Sequence, residues 1–363
     1  SLVGSEMCIR DRDKVDLRKT ADENQKEMID MNRNVWEQLP DLIQKEYDNI
    51  RGLVIIRNGS IIHESYYGNK GPDDCIHVAS VTKSILSALI GIAVKHGYID
   101  SIDRKVMEFF PEFIFTDPNK TRSRITLKHL LTMTAPYPYE DWQEPLESLC
   151  TSSDWVRFTL DMLGKGGETG AFKYSTASAH LLSAVLSRTT GKSAREFANE
   201  MLFRPIGMRS IPDYPMDGFG YEDLFGAKLK GWPHDPHGIT TGGWGLTMTP
   251  RDMARFGLLY LNNGCWDGNE ILPQSWVRAS AAANPHQYGY MWWLFQEKDI
   301  SAFAAMGDGG NAIFCIPQLD MVAAIASAFI PQPKDRWILI KEYILPAVVT
   351  GSFQCRDSSG ITP

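Results

Sequence analysis

Leu53-Val54-Ile55-Ile56-Arg57-Asn58-Gly59-Ser60-Ile61-Ile62-His63-Glu64-Ser65-Tyr66-Tyr67 is two apolar, β-branched runs joined by an Asn-Gly pair. A two-residue hairpin turn needs positive φ at both central positions, which Asn58-Gly59 supplies, so Leu53–Ile56 and Ile61–Tyr67 are expected as an antiparallel hairpin. Downstream, the loop Gly71–Cys75 leads into a helix beginning near Ser80, where Ile85, Leu86, Leu89, Ile92 and Ala93 recur at three-and-four spacing and define a buried face. From about residue 100 to 285 the pattern is mostly helical with long loops: Thr126–Met133, Asp154–Leu163, Ala177–Arg188, Ala194–Leu202 and Pro250–Leu261. Thr249-Pro250 is a helix start signal for the last of these. Strand patterns return at Tyr288–Phe295, Ala302–Met306, Ala312–Ile316 and Met321–Ala328, and a final helix is expected over 334–349. Strands at both ends of a helical middle imply an α+β fold, with one antiparallel sheet built from the two termini and a mostly helical region inserted between.

Upstream of the hairpin, residues 13–50 are polar and helix-prone, with Trp36, Leu39 and Leu42 as anchors. Residues 1–12, SLVGSEMCIRDR, fit neither a signal peptide nor that helix, and are expected to be a non-native leader. Residues 51–350 are then expected as the main domain and 351–363 as a tail. A chain of 363 residues, 43% of them hydrophobic, can bury one large core or two closely packed ones. Its 37 basic and 44 acidic side chains leave a net charge of −7 with no basic stripe, which argues against a nucleic-acid partner. No apolar run reaches the ~18 residues of a membrane span. Cysteines 8, 75, 150, 265, 315 and 355 show no CxxC and no regular spacing, so neither a zinc site nor a disulfide framework is expected. The cytoplasm is favoured over the periplasm, and the oligomeric state is left open.

Ser80-Val81-Thr82-Lys83 is the only Ser-x-x-Lys in the chain. Chance alone yields about one such tetrad in a protein this long, so its place matters more than its presence. At a helix start, residues three apart share a face, which lets Lys83 reach back to the Ser80 hydroxyl, and the free amides there favour developing negative charge. A lysine among apolar neighbours can act as a base near neutral pH. The competing reading is a serine that merely caps the helix, followed by an exposed lysine.

Further motifs follow in order: Ile125-Thr126-Leu127-Lys128-His129-Leu130-Leu131, then Lys173-Tyr174-Ser175-Thr176 on a tight connection into a helix, then Gly242-Gly243-Trp244-Gly245-Leu246. Tyr288-Gly289-Tyr290-Met291-Trp292-Trp293 and Met306-Gly307-Asp308-Gly309-Gly310-Asn311 complete the series. In order and spacing, over about residues 50 to 350, the set resembles the serine β-lactamase-related family, comprising class C β-lactamases, penicillin-binding-protein-like esterases and 6-aminohexanoate-oligomer hydrolases. The resemblance implies the β-lactamase/transpeptidase-like fold, Ser80 as nucleophile, Lys83 as its base partner and Tyr174 as proton relay. It also implies an oxyanion hole from the backbone amides of Ser80 and Asp308. No metal or organic cofactor is implied, and the partner is a small ester or amide.

Two departures narrow the expectation. Where the family's second motif reads Tyr-Ser-Asn, this chain has Thr176. Where antibiotic-handling members carry Lys-Thr-Gly, aligning the glycine with Gly307 puts Ala305 and Met306 in the lysine and threonine positions, so the carboxylate anchor is missing. Esterase-like or aminohexanoate-hydrolase-like chemistry is therefore expected before β-lactamase or D-amino-acid peptidase activity, with a non-catalytic binding module as the alternative from another class. Thr176, Trp244, Trp292, Gly307, Gly309, Gly310 and Asn311 are the expected substrate contacts, although Trp244, Trp292 and Trp293 suit core packing equally well. His129 is expected to be structural. His234 and His237, flanking Asp235 in a proline-rich loop, lack the third ligand of a metal site and the Gly-x-Ser-x-Gly elbow of a hydrolase triad.

Overall fold

The Asn-Gly turn forms as its chemistry requires: Asn58 and Gly59 adopt φ of 48° and 73°. They join strands β1 (Ile50–Arg57) and β2 (Ser60–Tyr66), with Val54 opposite Glu64 and a bulge between Ile55 and Ile56. The computed structural model describes residues 35–351 except 118, 141, 217, 219–229 and 298. The expected leader, residues 13–34 of the N-terminal segment and residues 352–363 of the tail lie outside the described residues.

The chain divides into two units. The larger, Tyr47–Lys334, carries every motif singled out above. After β2 come the short strand β3 (Ile76–His77), helix α1 (Val81–Lys95), helix α2 (Trp155–Met162) and helix α3 (Thr176–Thr190). They are followed by strand β4 (Thr247–Met248), helix α4 (Pro250–Leu261) and strands β5 (Trp293–Glu297), β6 (Ile300–Gly307), β7 (Asn311–Ile316) and β8 (Met321–Ser327). The main sheet runs β2-β1-β8-β7-β6-β5 with every pair antiparallel. Thus the N-terminal hairpin zips onto the C-terminal strands, Leu53 opposite Ile325 and Ile55 opposite Ala323, and the helical region is inserted between the two halves of the sheet, as the sequence pattern implies.

Helix α4 starts where Thr249 accepts the Asp252 N–H and Pro250 occupies the first turn, and it covers one face of the sheet. Gly257 permits that approach, since a Cβ there would lie 2.6 Å from Val322 Cγ1 and 2.7 Å from Ile313 Cγ2. Helix α1 is buried on all sides from Val81 to Ala93, the signature of a central helix rather than a surface one. His129 closes a capping box with Thr126 at the short helix Leu127–Leu131.

The expected strand Tyr288–Phe295 is shorter at its start. Met291 takes a φ of 61° and the Gly289 N–H bonds the Trp292 carbonyl, so residues 288–292 form a tight turn and pairing begins at Trp293. The Ala194 helix ends at Ala198 and continues as a π turn through Phe203. The smaller unit includes a helix over residues 35–46 and a C-terminal helical run from Arg336 to Gly351, opened by Asp335, whose side chain accepts the Trp337 N–H.

Candidate active site

Strand β3 pairs with β4, and the Val78 N–H bonds the Leu246 carbonyl, so the chain entering α1 is clamped on one side. Ala79 then turns through a left-handed φ of 48°, a costly conformation for a residue with a Cβ, and delivers Ser80 to the helix start. The Ser80 hydroxyl makes no capping bond to the backbone. Instead it accepts from Lys83 Nζ at 3.0 Å. That ammonium also donates to the Gly243 carbonyl at 2.7 Å and stands 4.9 Å over the centroid of the Tyr174 ring. Lys83 is only 1% exposed, whereas Ser80 is half-buried. The cap-plus-exposed-lysine reading therefore does not describe this pair.

The Gly-Gly-Trp-Gly segment forms the far wall. A Cβ on Gly243 would lie 2.5 Å from Thr176 Cγ2 and 3.2 Å from Lys83 Nζ, and one on Gly242 would collide with the Ala179 carbonyl. Only glycine lets this turn press against α3 while aiming a carbonyl at Lys83. Gly245, at φ 99°, donates its N–H to His77 Nε2 at 3.0 Å. Desolvation pushes the His77 imidazole down to about 4 from its ordinary 6.5, so at neutral pH the ring is uncharged and Nε2 can serve as the acceptor of the Gly245 N–H. Because the folded value is depressed, the stabilising contribution is fully present above about pH 6.5 and is lost as pH falls through 4. Thermal melts between pH 7 and 4 are expected to show a falling midpoint, and His77→Gln, which keeps an acceptor without titrating, should flatten that slope. An unchanged slope would remove His77 as the source of the acid sensitivity.

Tyr174 precedes α3, whose N-cap Ser175 accepts the Ser178 N–H at 3.0 Å. Its ring packs with Trp142 and Trp293, centroids 5.1 and 5.7 Å away and those two rings 6.4 Å from each other, and meets Tyr288 edge-on. The segment Pro136–Pro145 is tied to this turn: the Tyr139 hydroxyl donates to Ser175 Oγ at 2.8 Å, and the Glu144 carboxylate accepts the Thr176 and Ala177 N–H groups at 2.7 and 2.6 Å. Glu144 as a residue is half-buried, but its carboxyl end is enclosed. Desolvation raises its pKa, opposed by the two amides and by the charge of Lys83.

On the sheet side, Ala305 is fully buried and Met306 half-buried, with no cation or hydroxyl at either position. A Cβ on Gly307 would strike the Val78 carbonyl and lie 3.0 Å from the Ser80 amide nitrogen, so the end of β6 passes directly beside that amide. Asp308, exposed, begins a 3-10 turn through Gly310.

Trp292, Asn311 and Gly309, three of the expected substrate contacts, are buried. Trp292 is fully buried among Phe256, Tyr260 and Phe303, because the turn at Met291 sends it into the core and leaves its neighbour Trp293 on Tyr174. Asn311, 1% exposed, spends its amide on main chain: Nδ2 donates to the Asp308 and His77 carbonyls and Oδ1 accepts the Ser327 N–H. Gly309 is buried, its carbonyl accepting from Asn49 at 2.6 Å. Thr176 and Gly307 adjoin Lys83 and Ser80 through the contacts above, and Trp244 packs between His77 and Trp155. The Asp235 carboxylate pairs with the buried His180 at 3.2 Å and accepts the His237 and Ile239 amides, while the His234 ring meets the Asp235 carbonyl and Asp213 and the His237 ring meets Asp154. A cleft of about 490 Å³ lined by Cys150, Trp155, Met216 and Asp235 lies beyond Trp155; neither Ser80, Lys83 nor Tyr174 lines it. Glu144, Trp142, Tyr139 and His77 were not singled out by the sequence reading.

An antiparallel sheet built from both termini, a helical insertion and a Ser-x-x-Lys pair at the start of the central helix define a β-lactamase/transpeptidase-like architecture. The beta-lactamase family model matches residues 40–336, and the chain belongs to that family. It is 24% identical over 332 residues to a 6-aminohexanoate-dimer hydrolase of Paenarthrobacter ureafaciens, covering 82% of this chain and 77% of that one. Among solved structures it is similar to a Bacillus anthracis protein named as a candidate 6-aminohexanoate-dimer hydrolase, with TM-score 0.66, 22% identity and coverage of 85% and 81%. An octameric penicillin-binding protein homologue from Pyrococcus abyssi has TM-score 0.63 at 17% identity, with coverage of 86% and 76%.

Proposed function

We propose that the chain is a serine hydrolase cleaving esters or open-chain amides through an acyl-enzyme on Ser80. The observation that carries this reading is the 3.0 Å contact between Lys83 Nζ and a Ser80 hydroxyl free of any capping duty. A lysine nitrogen this buried, held by a backbone carbonyl and within hydrogen-bond distance of the hydroxyl of a half-buried serine, can in its neutral amine form take the proton from that nucleophile. In the proposed cycle Lys83 and Tyr174 take the Ser80 proton as Ser80 attacks the carbonyl carbon. The oxyanion is held by the Ser80 and Asp308 amides, and the closeness of Gly307 to the Ser80 amide supports that pairing. The leaving group departs with a proton relayed by Tyr174, and water then cleaves the acyl-enzyme. The buried Ala305 and half-buried Met306 offer no partner to a carboxylate on the acyl group, which favours acyl groups without one, and the two relatives named for aminohexanoate dimers support open-chain amides as substrates.

Intact-mass measurement of the full chain tests the reading. Exposure to a fluorophosphonate is expected to add one covalent adduct per molecule. Among p-nitrophenyl esters, an aminohexanoate dimer and a cephalosporin, an ester or the dimer should be turned over fastest. No adduct and no turnover across the panel would leave a binding module on the same fold as the better account.

A further inference from the structure

The carboxylate of Glu144 reaches across 32 residues of sequence to grip the first two amides of α3 with both oxygens, Oε2 on Thr176 and Oε1 on Ala177. Ser175 accepts only the Ser178 N–H, so of the donors that a helix start leaves unpaired, those of Thr176 and Ala177 fall to Glu144. A desolvated carboxylate is a costly way to satisfy two amides unless its charge or its two-point geometry is used. The segment gripped begins two residues after Tyr174, and Thr176 in turn lies against Gly243, whose carbonyl holds Lys83. A shift of Thr176 would therefore reach the phenol on one side and the ammonium on the other.

We infer that Glu144 is a positioning residue for the reaction proposed above, fixing the Tyr174–Thr176 turn against Ser80 and Lys83 through its two-oxygen grip on the start of α3. This inference rests on Ser80, Lys83 and Tyr174 being the reacting groups. The main chain of the turn is held from two sides: Met133 accepts the Lys173 and Ser175 amides through its carbonyl and Sδ, and Glu144 accepts the next two, those of Thr176 and Ala177, with the only charged group of the set. Tyr139 and Trp142 hold the side chains of Ser175 and Tyr174 and not the main chain. The positive charge of Lys83 stabilises the ionised carboxylate, which supports placing the two groups in one electrostatic unit.

The test compares wild type, Glu144→Gln and Glu144→Asp in the full chain. Glutamine keeps the length but turns one acceptor oxygen into an amide that faces an N–H donor. Aspartate keeps both oxygens on a shorter stem. With p-nitrophenyl butyrate, Glu144→Gln is expected to lower kcat by roughly tenfold or more while KM moves by less than about threefold, and Glu144→Asp should recover a large part of kcat. Hydrogen–deuterium exchange of residues 172–178 should be faster in Glu144→Gln and closer to wild type in Glu144→Asp. Wild-type kcat in Glu144→Gln, or equal losses of kcat and thermal midpoint in both variants, would overturn the inference. Exchange needs no turnover: a wild-type chain that forms no acyl-enzyme sinks the hydrolase reading, while unchanged exchange in Glu144→Gln sinks the grip of Glu144 on its own.

Discussion

Ser80→Ala is expected to abolish fluorophosphonate labelling and ester turnover while leaving the protein folded. The structural cost is small for a specific reason. Serines at helix starts contribute about 0.5 to 2 kcal/mol when they cap, but the Ser80 hydroxyl makes no bond to a backbone amide, so that contribution is not at stake. What is lost is one hydrogen bond from Lys83, which keeps its Gly243 partner. The net worth of such a bond is about 1 kcal/mol, corresponding to a midpoint shift of roughly 2–4 °C in a domain of this size. The chemical loss has no such bound, because no other hydroxyl has been placed against Lys83 Nζ among the described residues. Intact mass after fluorophosphonate treatment and a thermal melt on the same sample measure both terms. Labelling of the variant at the wild-type rate would exclude Ser80 as the nucleophile.

The sequence made the scaffold readable because its determinants are local. The Asn58-Gly59 pair specifies its turn alone, and Thr249-Pro250 with the apolar spacing behind it set the bounds of α4. Ser80 and Lys83 were legible for the same reason: three residues of helix fix their relation, and burial of the lysine follows from the apolar neighbours around it. The surrounding wall was not. Trp292 and Trp293 are adjacent, and which of them faces Tyr174 depends on the positive φ of Met291, a single backbone choice that resets the strand alternation and carries no side-chain signature. Asn311 closes a glycine-rich motif that the resemblance assigns to substrate, yet its buried amide bridges three main-chain groups, a use that leaves no mark in the sequence. Glu144 binds backbone amides, which have no sequence identity, across a gap with no periodicity. His77 lies in an ordinary strand pattern, and its role depends on Gly245, 168 residues downstream.

Esters or open-chain amides are expected to be hydrolysed at least about a hundredfold more efficiently than cephalosporins, measured as kcat/KM for p-nitrophenyl butyrate beside nitrocefin. The argument starts from β6, where Ala305 is fully buried and Met306 half-buried at the positions in which antibiotic-handling relatives present a lysine and a threonine. A substrate carboxylate entering there would shed water without meeting a cation or hydroxyl, and an unpaired buried charge costs several kcal/mol. Each 1.4 kcal/mol or so is a factor of ten, so losing two charge-assisted hydrogen bonds gives about the ratio stated. Two arginines lie close enough in the sequence to the motifs to be considered as substitutes. Arg251 is held by Glu64 through Nε at 2.5 Å and Nη2 at 2.9 Å, a two-point pairing that occupies its fork. Arg204 is exposed, just past the π turn that follows the Ala194 helix. Lys173 is engaged by the Tyr137 and Tyr139 carbonyls, and Lys83 by Ser80 and Gly243. The rings beside Tyr174 point the same way, since Trp142, 72% exposed, and the half-buried Trp293 offer apolar surface where an acyl or leaving group would lie. A neutral ester meets that surface without any charge to desolvate. A nitrocefin value equal to or above that of the ester would mean that a cation reaches the carboxylate from another direction, and the preference for neutral substrates would have to be given up.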